Sequence, residues 1–560
     1  MTRWDESTDF LIIGSGGGSM CAALVMAKAG KKPLILEKQA KVGGSTCMSG
    51  GVIWVPNHPL QAAAGVQDSF EDGLRYMDAL IGDVGPASSP ERRRAYLEQG
   101  PECIRFLMDS GMRFARSDGY SDYYDDLPGG KAAGRSLIAE MFNGKELGAW
   151  FEKLQIAPPL VPINTPEFRH LLLAARSFKG LRVALTIMSR VLYQKLTGKV
   201  LLGLGAAIQG RMLQLTLNNN IPIRLETAVK ELVIEEGRVA GVIAEHAGKV
   251  LRIQARHGVL INAGGFSHNL SMRQELGPQP ASVQWTMSNP GDTGEVLGEA
   301  IRIGAATDLT DQAVWVPVSL PPGSPPVFHV QDMSKPGSIL VDSAGQRFVN
   351  ESVSYMELGQ SIYARHQVQK AIPAWYIHDS RCHQRYPLGG SFALMQPKSW
   401  LESGYLKKAD TLDELARQCG IDAQGLKETV ERFNVFAQQG KDMDFHRGER
   451  AYDRYFGDPS NKPNPTLGAL NKPPYYAVAL YPGDVGTCGG LLTDTSARVL
   501  HVDGQPISGL YATGNSTASV MGKRYPGAGA SIGNSFVWAY VAAQHALQSA
   551  IHDDGRIKAA

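Results

Sequence analysis

Near the N-terminus, short apolar runs alternate with glycine-rich turns. In DFLIIGSGGGSMCAALVMAKAGKKPLILEK, residues 9–38, two uncharged runs flank a turn with four glycines and a longer apolar segment. Short apolar runs bounded by turn residues are typical of buried strands, and the longer segment has the length of a helix. The pattern therefore predicts a strand, a tight glycine turn, a helix and a second strand.

The glycine turn has the chemistry of a dinucleotide site. Gly14 and Gly16 hold the first two positions of GxGxxG, and the small Ser19 stands at the third. Gly14 permits the turn, Gly16 lets the backbone reach a pyrophosphate, and the helix N-terminus supplies donors. Glu37, at the end of the second strand, is placed to accept hydrogen bonds from ribose hydroxyls. The residues assigned to the cofactor here are Gly14, Ser15, Gly16, Gly17, Gly18, Glu37 and Lys38.

A second glycine loop distinguishes FAD from NAD. KVGGSTCMSGGVIW, residues 41–54, follows the ribose acid directly, whereas a simple NAD domain needs no second loop there. Its glycines and small hydroxyl residues suit a backbone folded over pyrophosphate and flavin. The loop has no histidine for covalent attachment, so we predict noncovalent FAD. The residues assigned to FAD are Gly43, Gly44, Ser45, Thr46, Ser49, Gly50 and Gly51.

Two distant segments complete the cofactor site. HGVLINAGGFSHN, residues 257–269, and PISGLYATGNSTAS, residues 506–519, each read as a buried strand that ends in small residues. One cofactor held by both ends of a chain implies a discontinuous domain. We therefore predict an α/β fold, with a Rossmann-like FAD-binding domain (1–295 and 487–560) and an inserted α+β catalytic domain (296–486). The added FAD contacts are Ala263, Gly264, Gly265, Gly514 and Asn515.

Two further patterns add detail to this organisation. Residues 226–255 alternate like a small antiparallel meander, and residues 457–475 are rich in proline and asparagine and are predicted to form a surface loop. A basic helical excursion is expected at about 135–215.

Bulk composition excludes several classes. The chain has 560 residues, 43% of them hydrophobic, and a net charge of +2, so nothing indicates a nucleic-acid partner. Its six cysteines form no CxxC pair and no His/Cys cluster, which argues against a disulfide framework or a metal site. The polar N-terminus leads straight into a strand without a signal peptide, which predicts a cytoplasmic protein.

Residues 168–225 contain no Asp or Glu, while Arg and Lys recur among Leu, Val, Ile and Met. Two interpretations stay open for this segment. It forms core helices with solvated arginines, or it is an amphipathic segment that makes a peripheral contact with a membrane surface. No stretch reaches the length of a spanning helix.

Several motifs together resemble a known family. DFLIIGSGGGS, LILEKQAKVGGST and GLYATGN, with the glycine-rich tail, are similar to the flavoproteins of fumarate reductases and succinate dehydrogenases. Within that family the chain most resembles the 3-ketosteroid 1-dehydrogenases, and this resemblance runs over nearly the whole chain. Its most specific segments are SDYYDDLPGGKAAGRSL (121–137), GQRFVNESVSYME (345–357), FHRGERAYDRYFGDPSNKPNP (445–465) and PGDVGTCGGLLTD (482–494).

The family covers two opposite chemistries. Enzymes of the fumarate branch clamp two carboxylates with an arginine in the C-terminal glycine loop and a histidine before an upstream GG pair. Here Tyr525 takes the apparent place of that arginine, with Arg524 beside it, and DVGTCGG at 484–490 has no histidine. A desolvated dicarboxylate without cations costs several kcal/mol, which favours a neutral, apolar ketone. A fumarate-type reductase, a flavin protein without turnover, and a 4-dehydrogenase acting on 5α-steroids are the alternatives.

The resemblance also implies roles for individual residues. The tail VMGKRYPGAGASIG, residues 520–533, presents the Tyr525 hydroxyl and the Gly529 N–H to the ketone oxygen, where enolate charge develops. Tyr355 is the base that takes the proton from carbon 2, and Tyr123 relays it or stabilises its charge, with Tyr124 as an alternative relay. The hydride passes from carbon 1 to flavin N5, and an external acceptor such as a quinone takes the electrons. Further FAD contacts implied by the resemblance are Val229, Asn289, Asp292, Ser531 and Ile532.

Overall fold

The computed structural model describes residues 3–156 and 160–559, with only the backbone of 551–559. Its first layer is a six-stranded sheet in which five neighbouring strands pair in parallel and one edge strand pairs antiparallel. The predicted strand, turn, helix and strand are confirmed as Phe10–Ile13, Gly17–Lys28 and Pro33–Leu36. Across the sheet the strands run in the order Arg498–Leu500, Pro506–Ala512, Val259–Ile261, Phe10–Ile13, Pro33–Leu36 and Ile223–Arg224. Both ends of the chain therefore build one sheet, and the fold is α/β with a Rossmann-like layer.

The central strands are uncharged because both faces of the sheet are covered. Every residue of Phe10–Ile13 and of Pro33–Leu36 is buried, as expected for parallel strands between helices. The helix Gly17–Lys28 packs against Leu204–Asn218 and the C-terminal helix Ala530–Ala559.

The predicted meander is also confirmed. Thr227–Glu235, Arg238–His246 and Lys249–Ala255 pair antiparallel, and Glu6–Thr8 adds a parallel strand at the edge. Buried and exposed positions alternate along much of these strands because only one face meets the core.

The strands of a second large sheet come, in the sequence, between the two parts of the chain that build the first sheet. Its strands are Val327–Phe328, Ala313–Ser319, Tyr475–Thr487, Ala374–Asp379 and Ser338–Val341, with Leu406–Ala409 paired to Tyr475–Thr487. The helix Glu295–Arg302 packs instead on Thr227–Glu235, and Thr307–Asp308 pairs with Gly490–Leu491. The boundary that we place at 295/296 remains a prediction, and these contacts favour a start of the inserted domain nearer Ala313.

Smaller elements connect these layers. Val52–Trp54, Ser136–Ala139 and Phe114–Arg116 form a three-stranded sheet, and Phe142–Asn143 pairs with Leu201–Leu202. The remaining helices include Gly44–Met48, Pro59–Ala63, Phe70–Ile81, Pro90–Asp109, Thr165–Leu171, Phe178–Thr197, Leu270–Leu276, Tyr355–His366, Ser380–Arg385, Lys398–Glu402, Leu412–Cys419, Ala423–Gln439 and Ala451–Tyr455.

The basic region divides into two kinds of helix. Leu204–Asn218 is largely buried, as the core interpretation expects. Phe178–Thr197 is different, because its large apolar side chains face solvent, with Phe178 85% and Leu196 77% exposed. Residues 157–159 of the predicted excursion lie outside the described residues. Of the helices that the structure describes, none has the length and apolar character needed to cross a membrane.

Two sequence expectations concern loops and cysteines. The segment 457–475 has no helix and only its last residue in a strand, but calling it a surface loop is wrong in part. Thr466, Leu467 and Leu470 are buried, and the two leucines pack into the core beside Phe433. All six cysteines are buried and free.

Candidate functional site

A cavity of about 510 Å³ runs between the two large sheets. One end is lined by the two glycine loops, the meander and the segment around Asn289. The other end is lined by tyrosines and apolar side chains of both domains. The cavity thus joins a polar, glycine-rich end to an aromatic end.

The first glycine loop can only be built with glycine. Gly14 has φ +97°, and a Cβ there would lie 2.2 Å from the carbonyl oxygen of Asn262. The helix Gly17–Lys28 has no cap from its N-cap residue Gly16 and no acid in its first turn, although Thr46 Oγ1 accepts the Gly17 N–H at 3.2 Å. The helix Gly44–Met48, in the second loop, has the same two features. Unsatisfied N–H groups at a helix start attract anions, so the two ends suit a pyrophosphate.

Glu37 lies on the cavity wall beside these donors. Its carboxylate accepts hydrogen bonds from Ser15 Oγ at 2.6 Å, Ser15 N–H at 3.1 Å and Gln39 N–H at 2.9 Å. Burial raises the pKa of Glu37, while these hydrogen bonds oppose the rise. A carboxylate has about four lone-pair positions, so one remains for a ribose hydroxyl.

Lys38 and Asp292 add charge along the same wall. Lys38 Nζ donates to Thr293 Oγ1 at 2.6 Å and pairs with Glu295 at 2.8 Å. Burial raises the pKa of Asp292 to about 7, although Ser45 Oγ donates a hydrogen bond to it at 3.1 Å.

Val229 reaches the cavity beside an irregularity in its strand, between Val229 and Glu231.

The structure divides the predicted cofactor residues into two groups. Five glycines do not line the cavity and instead allow close packing behind it. A Cβ at any of them would lie 1.8–2.8 Å from a neighbouring atom; they are Gly17, Gly18, Gly43, Gly265 and Gly514. The lining group consists of Gly14, Ser15, Gly16, Glu37, Lys38, Gly44, Ser45, Thr46, Ser49, Gly50, Gly51, Val229, Ala263, Gly264, Asn289, Asp292, Asn515, Ser531 and Ile532.

These features fit FAD as a ligand. The starts of the two helices suit its pyrophosphate, Glu37 suits a ribose, and the strand at Val229 offers backbone polar groups to adenine. Among the described residues that line the cavity there is no histidine, and noncovalent binding stays a prediction.

Three tyrosines from distant segments meet at the aromatic end. Tyr123 lies in a loop, Tyr355 is the first residue of the helix Tyr355–His366, and Tyr525 opens the tail loop. Ring centroids are 5.5 Å apart for Tyr123 and Tyr355, 5.3 Å for Tyr355 and Tyr525, and 5.8 Å for Tyr123 and Tyr525. All three rings line the cavity together with Gly529.

The tail loop is fixed to the Tyr123 segment by hydrogen bonds. Tyr123 N–H donates to the Pro526 carbonyl at 2.9 Å, and the Tyr76 hydroxyl donates to the same oxygen at 2.6 Å. Beside them, the buried Asp122 accepts from Trp54 Nε1 and Arg135 Nη1, each at 2.8 Å. Buried polar groups satisfied in this way rigidify a site.

Tyr525 and Gly529 each present a donor to the cavity. The Tyr525 hydroxyl oxygen accepts the Ser531 N–H at 3.3 Å and also lies 3.3 Å from Ser531 Oγ, a contact in which either hydroxyl can donate. When Ser531 is the donor, Tyr525 has its own hydrogen available for a ligand in the cavity. Gly529 has φ +92°, and a Cβ there would lie 2.2 Å from the Val52 carbonyl oxygen. Within the described residues, no acceptor bonds the Gly529 N–H. Two donors that converge on one space suit a carbonyl oxygen that gains negative charge.

Tyr355 is partly buried, whereas the neighbouring Tyr123 and Tyr124 are buried. Burial raises the pKa of Tyr355 well above the usual value, the nearby Tyr525 adds to the rise, and a hydrogen bond with Tyr123 lowers it. Burial likewise raises the pKa of Tyr123. Tyr124 faces elsewhere, because its hydroxyl donates to Glu357 Oε2 at 2.6 Å. Tyr123 is therefore better placed than Tyr124 to act with Tyr355.

No arginine lines the described part of the cavity wall. Arg524 is exposed on the tail loop, and the lysines on the wall, Lys38 and Lys230, stand at the cofactor end. The wall around the tyrosines is apolar, with contributions from Val52, Phe168, Val316, Phe328, Val330 and Phe456. Such a wall suits a neutral ring system rather than a dicarboxylate.

Sequence reasoning does not identify several wall residues. Tyr120, Gln331 and Phe456 line the cavity, and Tyr452 packs behind it against Tyr123. Tyr452 and Phe456 belong to the family-specific segment 445–465, which is the signal that could have identified them. Gln331 has no comparable motif around it.

Known proteins are similar to this chain over nearly its whole length. The family described as "FAD binding domain" matches residues 9–532. A 3-oxosteroid 1-dehydrogenase of Mycobacterium tuberculosis is 40% identical, covering 97% of this chain and 99% of that protein. A 4-oxocyclohexanecarboxylate 2-dehydrogenase of Sinomonas cyclohexanicum is 34% identical, covering 98% and 94%. The crystal structure of 3-ketosteroid delta1-dehydrogenase from Sterolibacterium denitrificans, in complex with 1,4-androstadiene-3,17-dione, matches with a TM-score of 0.92 and 36% identity, covering 97% and 100%.

Proposed function

This chain belongs to the FAD binding domain family of flavoproteins, and we propose that it removes hydrogen from carbons 1 and 2 of 3-ketosteroids. The product is the 1-ene 3-ketosteroid, or the 1,4-diene when the substrate has a 4-ene. FAD is the cofactor. The observation that carries the proposal is the convergence of Tyr355, Tyr123 and the donors of Tyr525 and Gly529 on one apolar cavity.

FAD, which the two glycine loops and Glu37 would hold, would supply the hydride acceptor for carbon 1 and the route of the electrons to an external acceptor. The chain supplies the polar half of the reaction. Tyr525 and Gly529 donate hydrogen bonds to the ketone oxygen, so that negative charge can develop there as carbon 2 loses its proton. The space beside this oxygen is closed by apolar side chains, which strengthens both hydrogen bonds.

The proton from carbon 2 passes to the phenolate oxygen of Tyr355. Tyr123 donates a hydrogen bond to that phenolate and so increases the fraction of Tyr355 that is ready to accept a proton. Burial acts against this, and the reaction therefore depends on the hydrogen bond from Tyr123. Loss of a proton from carbon 2 and of a hydride from carbon 1 leaves the double bond between them.

An anaerobic mixing experiment tests the proposal. The purified flavoprotein is mixed with androst-4-ene-3,17-dione, and the visible band of oxidised flavin is followed while the steroid is analysed by mass. Bleaching with formation of the 1,4-diene is the expected result. Bleaching only with a 5α-saturated ketone, with a 4-ene as product, would instead assign a 4-dehydrogenase. If neither steroid bleaches the flavin and fumarate reoxidises the reduced protein, the proposal is wrong.

We further propose that helix Phe178–Thr197 docks the protein on an anionic phospholipid bilayer. Its solvent-facing apolar stripe is accompanied by basic side chains, and the helix contains no acid. Arg190 is paired with Glu167, whereas Lys179, Arg182 and Lys195 form no ion pair with the described residues. An apolar stripe flanked by cations is the pattern of a helix that lies in a membrane interface. The stripe consists of Phe178, Leu181, Leu185, Met188, Leu192 and Leu196.

The docking helix adjoins the cavity. It packs against the helix Thr165–Leu171, which contributes Thr165 and Phe168 to the cavity wall. A steroid partitions into bilayers because of its apolar surface, so a docked protein would meet its substrate there. We propose a quinone as the external electron acceptor for the same reason, since membrane quinones lie in that phase.

A further inference from the structure

Gln331 brings an amide to an apolar part of the cavity wall. It lines the cavity from the segment after the short strand Val327–Phe328, and its side chain is half-buried. Within the described residues, this side chain forms no hydrogen bond. Its neighbours on the wall, Phe328, Val330 and Val316, carry no polar side-chain atom. An amide has hydrogens to donate and an oxygen that accepts, so both functions are available to a ligand in the cavity.

Two buried residues hold the backbone on either side of Gln331. His329 Nδ1 donates to Asp332 Oδ2 at 2.8 Å, because an ionised carboxylate can only accept. The same oxygen accepts the Gly389 N–H at 2.8 Å. His329 Nε2 lies 2.7 Å from Ser319 Oγ, and His329, Asp332 and Ser319 are all buried. Satisfied buried polar groups rigidify their surroundings, so the side chain of Gln331 starts from a fixed point on the wall.

The reacting ketone does not account for this amide. In the proposed reaction the ketone oxygen is bound by Tyr525 and Gly529, and no hydrogen bond among the described residues joins Gln331 to either of them. A bound steroid displaces water from the wall, and an amide that then faces hydrocarbon loses the hydrogen bonds that it had with water. A second oxygen on the steroid can replace them. The wall therefore favours a ring system with polar groups at two places over one with a single ketone.

We propose that Gln331 determines specificity by donating a hydrogen bond to an oxygen of the steroid other than the reacting ketone, such as the ketone at carbon 17 of androst-4-ene-3,17-dione. The inference rests on the proposed function and names its class of substrate. This class consists of 3-ketosteroids with a second oxygen at the far end of the ring system, rather than those with only hydrocarbon there. Gln331 takes no part in the transfer of the proton or the hydride, so its contribution falls on KM and not on kcat.

Gln331→Met tests the inference, because methionine keeps the unbranched length of the side chain and removes its amide. Two substrates are compared, androst-4-ene-3,17-dione and androst-4-en-3-one, which lacks the oxygen at carbon 17. For the dione we expect KM to rise about tenfold, as for the loss of one hydrogen bond, with kcat unchanged. For the monoketone we expect KM to stay the same or to fall. Equal changes with both substrates, or no change with either, would overturn the inference.

Gln384→Met is the matched control. Gln384 is an exposed glutamine on the helix Ser380–Arg385 and does not line the cavity, so the same replacement there should leave the KM for both steroids in place. The ratio of flavin to protein absorbance checks that each variant holds the cofactor. A change in KM as large in Gln384→Met as in Gln331→Met would count against a contact in the cavity.

A binding measurement separates this inference from the proposed reaction. Androsta-1,4-diene-3,17-dione and androsta-1,4-dien-3-one are titrated into the oxidised flavoprotein, and each Kd is taken from the change in the flavin spectrum. Gln331→Met should weaken binding of the dione about tenfold and leave binding of the monoketone unchanged. This selective loss without any turnover would refute only the reaction, whereas turnover of both substrates without a selective loss would refute only the inference. If neither product binds the wild-type protein, both are wrong.

Discussion

The ring of Tyr355 meets that of Tyr123 nearly edge to face, at 75° and a centroid distance of 5.5 Å. Tyr355 starts a helix that packs on the second large sheet, while Tyr123 is bonded to the tail loop that precedes the C-terminal helix. The pair thus forms where the predicted catalytic domain meets the predicted FAD-binding domain. In the proposed reaction, a base on one of them and its hydrogen-bond donor on the other would couple the chemistry to the contact between the two.

The rate of the reductive step should rise with pH. Burial raises the pKa of Tyr355, and a base must be deprotonated to accept a proton. Below that pKa the deprotonated fraction falls tenfold per pH unit, so the logarithm of the rate should climb with a slope near one from about pH 6 to about pH 9. Stopped-flow reduction of the flavin by the steroid, repeated across this pH range, measures the rate of the reductive step. A flat profile in the wild-type protein would contradict Tyr355 as the base.

Tyr525→Phe should lower the rate of steroid oxidation about a hundredfold to a thousandfold, the usual cost of losing one donor to a developing oxyanion. The flavin should stay bound, because the hydroxyl serves the ketone oxygen. Steady-state kinetics and the absorbance ratio of flavin to protein check the two parts. Tyr511→Phe is the control, since its buried hydroxyl bonds His545 outside the cavity. Equal losses in both variants would contradict the assignment.

Gly529→Ala should damage both the loop and the reaction. The new Cβ would need the left-handed backbone at φ +92° and would meet the Val52 carbonyl at 2.2 Å. We expect a decrease of about 1–3 kcal/mol in the free energy of unfolding and loss of turnover as the N–H turns away. Thermal denaturation measures the first effect. Gly504→Ala is the control. Gly504 also has a positive φ, +85°, but a Cβ added there would have no other heavy atom within 4 Å. The control variant should therefore show the backbone strain and keep its turnover.

The part of the site that depends on local backbone geometry could be predicted from sequence. Gly14 needs a positive φ, and Glu37 directly follows the strand Pro33–Leu36 beside it. The turn and the acid therefore both lie within a segment of about thirty residues, where a local sequence pattern can identify them. The domain insertion is predicted from glycine loops at both chain ends and stays a prediction. The proposed roles of the tyrosines rest on motif resemblance, because nothing in a single tyrosine distinguishes a base from a core residue.

The contacts between domains could not be predicted in this way. Asp125 caps a helix that begins at Ala451, and neither residue has a local pattern that identifies the other. Gln331 likewise lines the cavity from the loop after the short strand Val327–Phe328, where no local motif marks it. The interpretation of the basic segment could not be settled from sequence either, because the lack of acids is compatible with a core helix and with a membrane-surface helix. In the structure, the apolar side chains of Phe178–Thr197 face solvent, whereas the helix Leu204–Asn218 is largely buried.

Membrane docking gives the last prediction. Replacing Leu185 and Met188 together by glutamate places two charges in the exposed stripe, where Met188 is 65% exposed. A charge buried at the bilayer interface costs free energy, so the variant should sediment with phosphatidylserine-containing vesicles much less than the wild type. Neither side chain lines the cavity, and turnover of dissolved steroid should therefore stay the same.

Val502→Glu separates the effect of this helix from that of any added charge. Val502 is 72% exposed in a turn of the FAD-binding domain, so the substitution adds a charge without touching the stripe. Its vesicle binding should match the wild type. Raising the salt concentration should weaken the binding of both, because Lys179, Arg182 and Lys195 attract the anionic surface through screened charges. Wild-type protein that stays in the supernatant with anionic vesicles would refute the docking, and equal losses in both variants would show that charge alone, and not the stripe, governs binding.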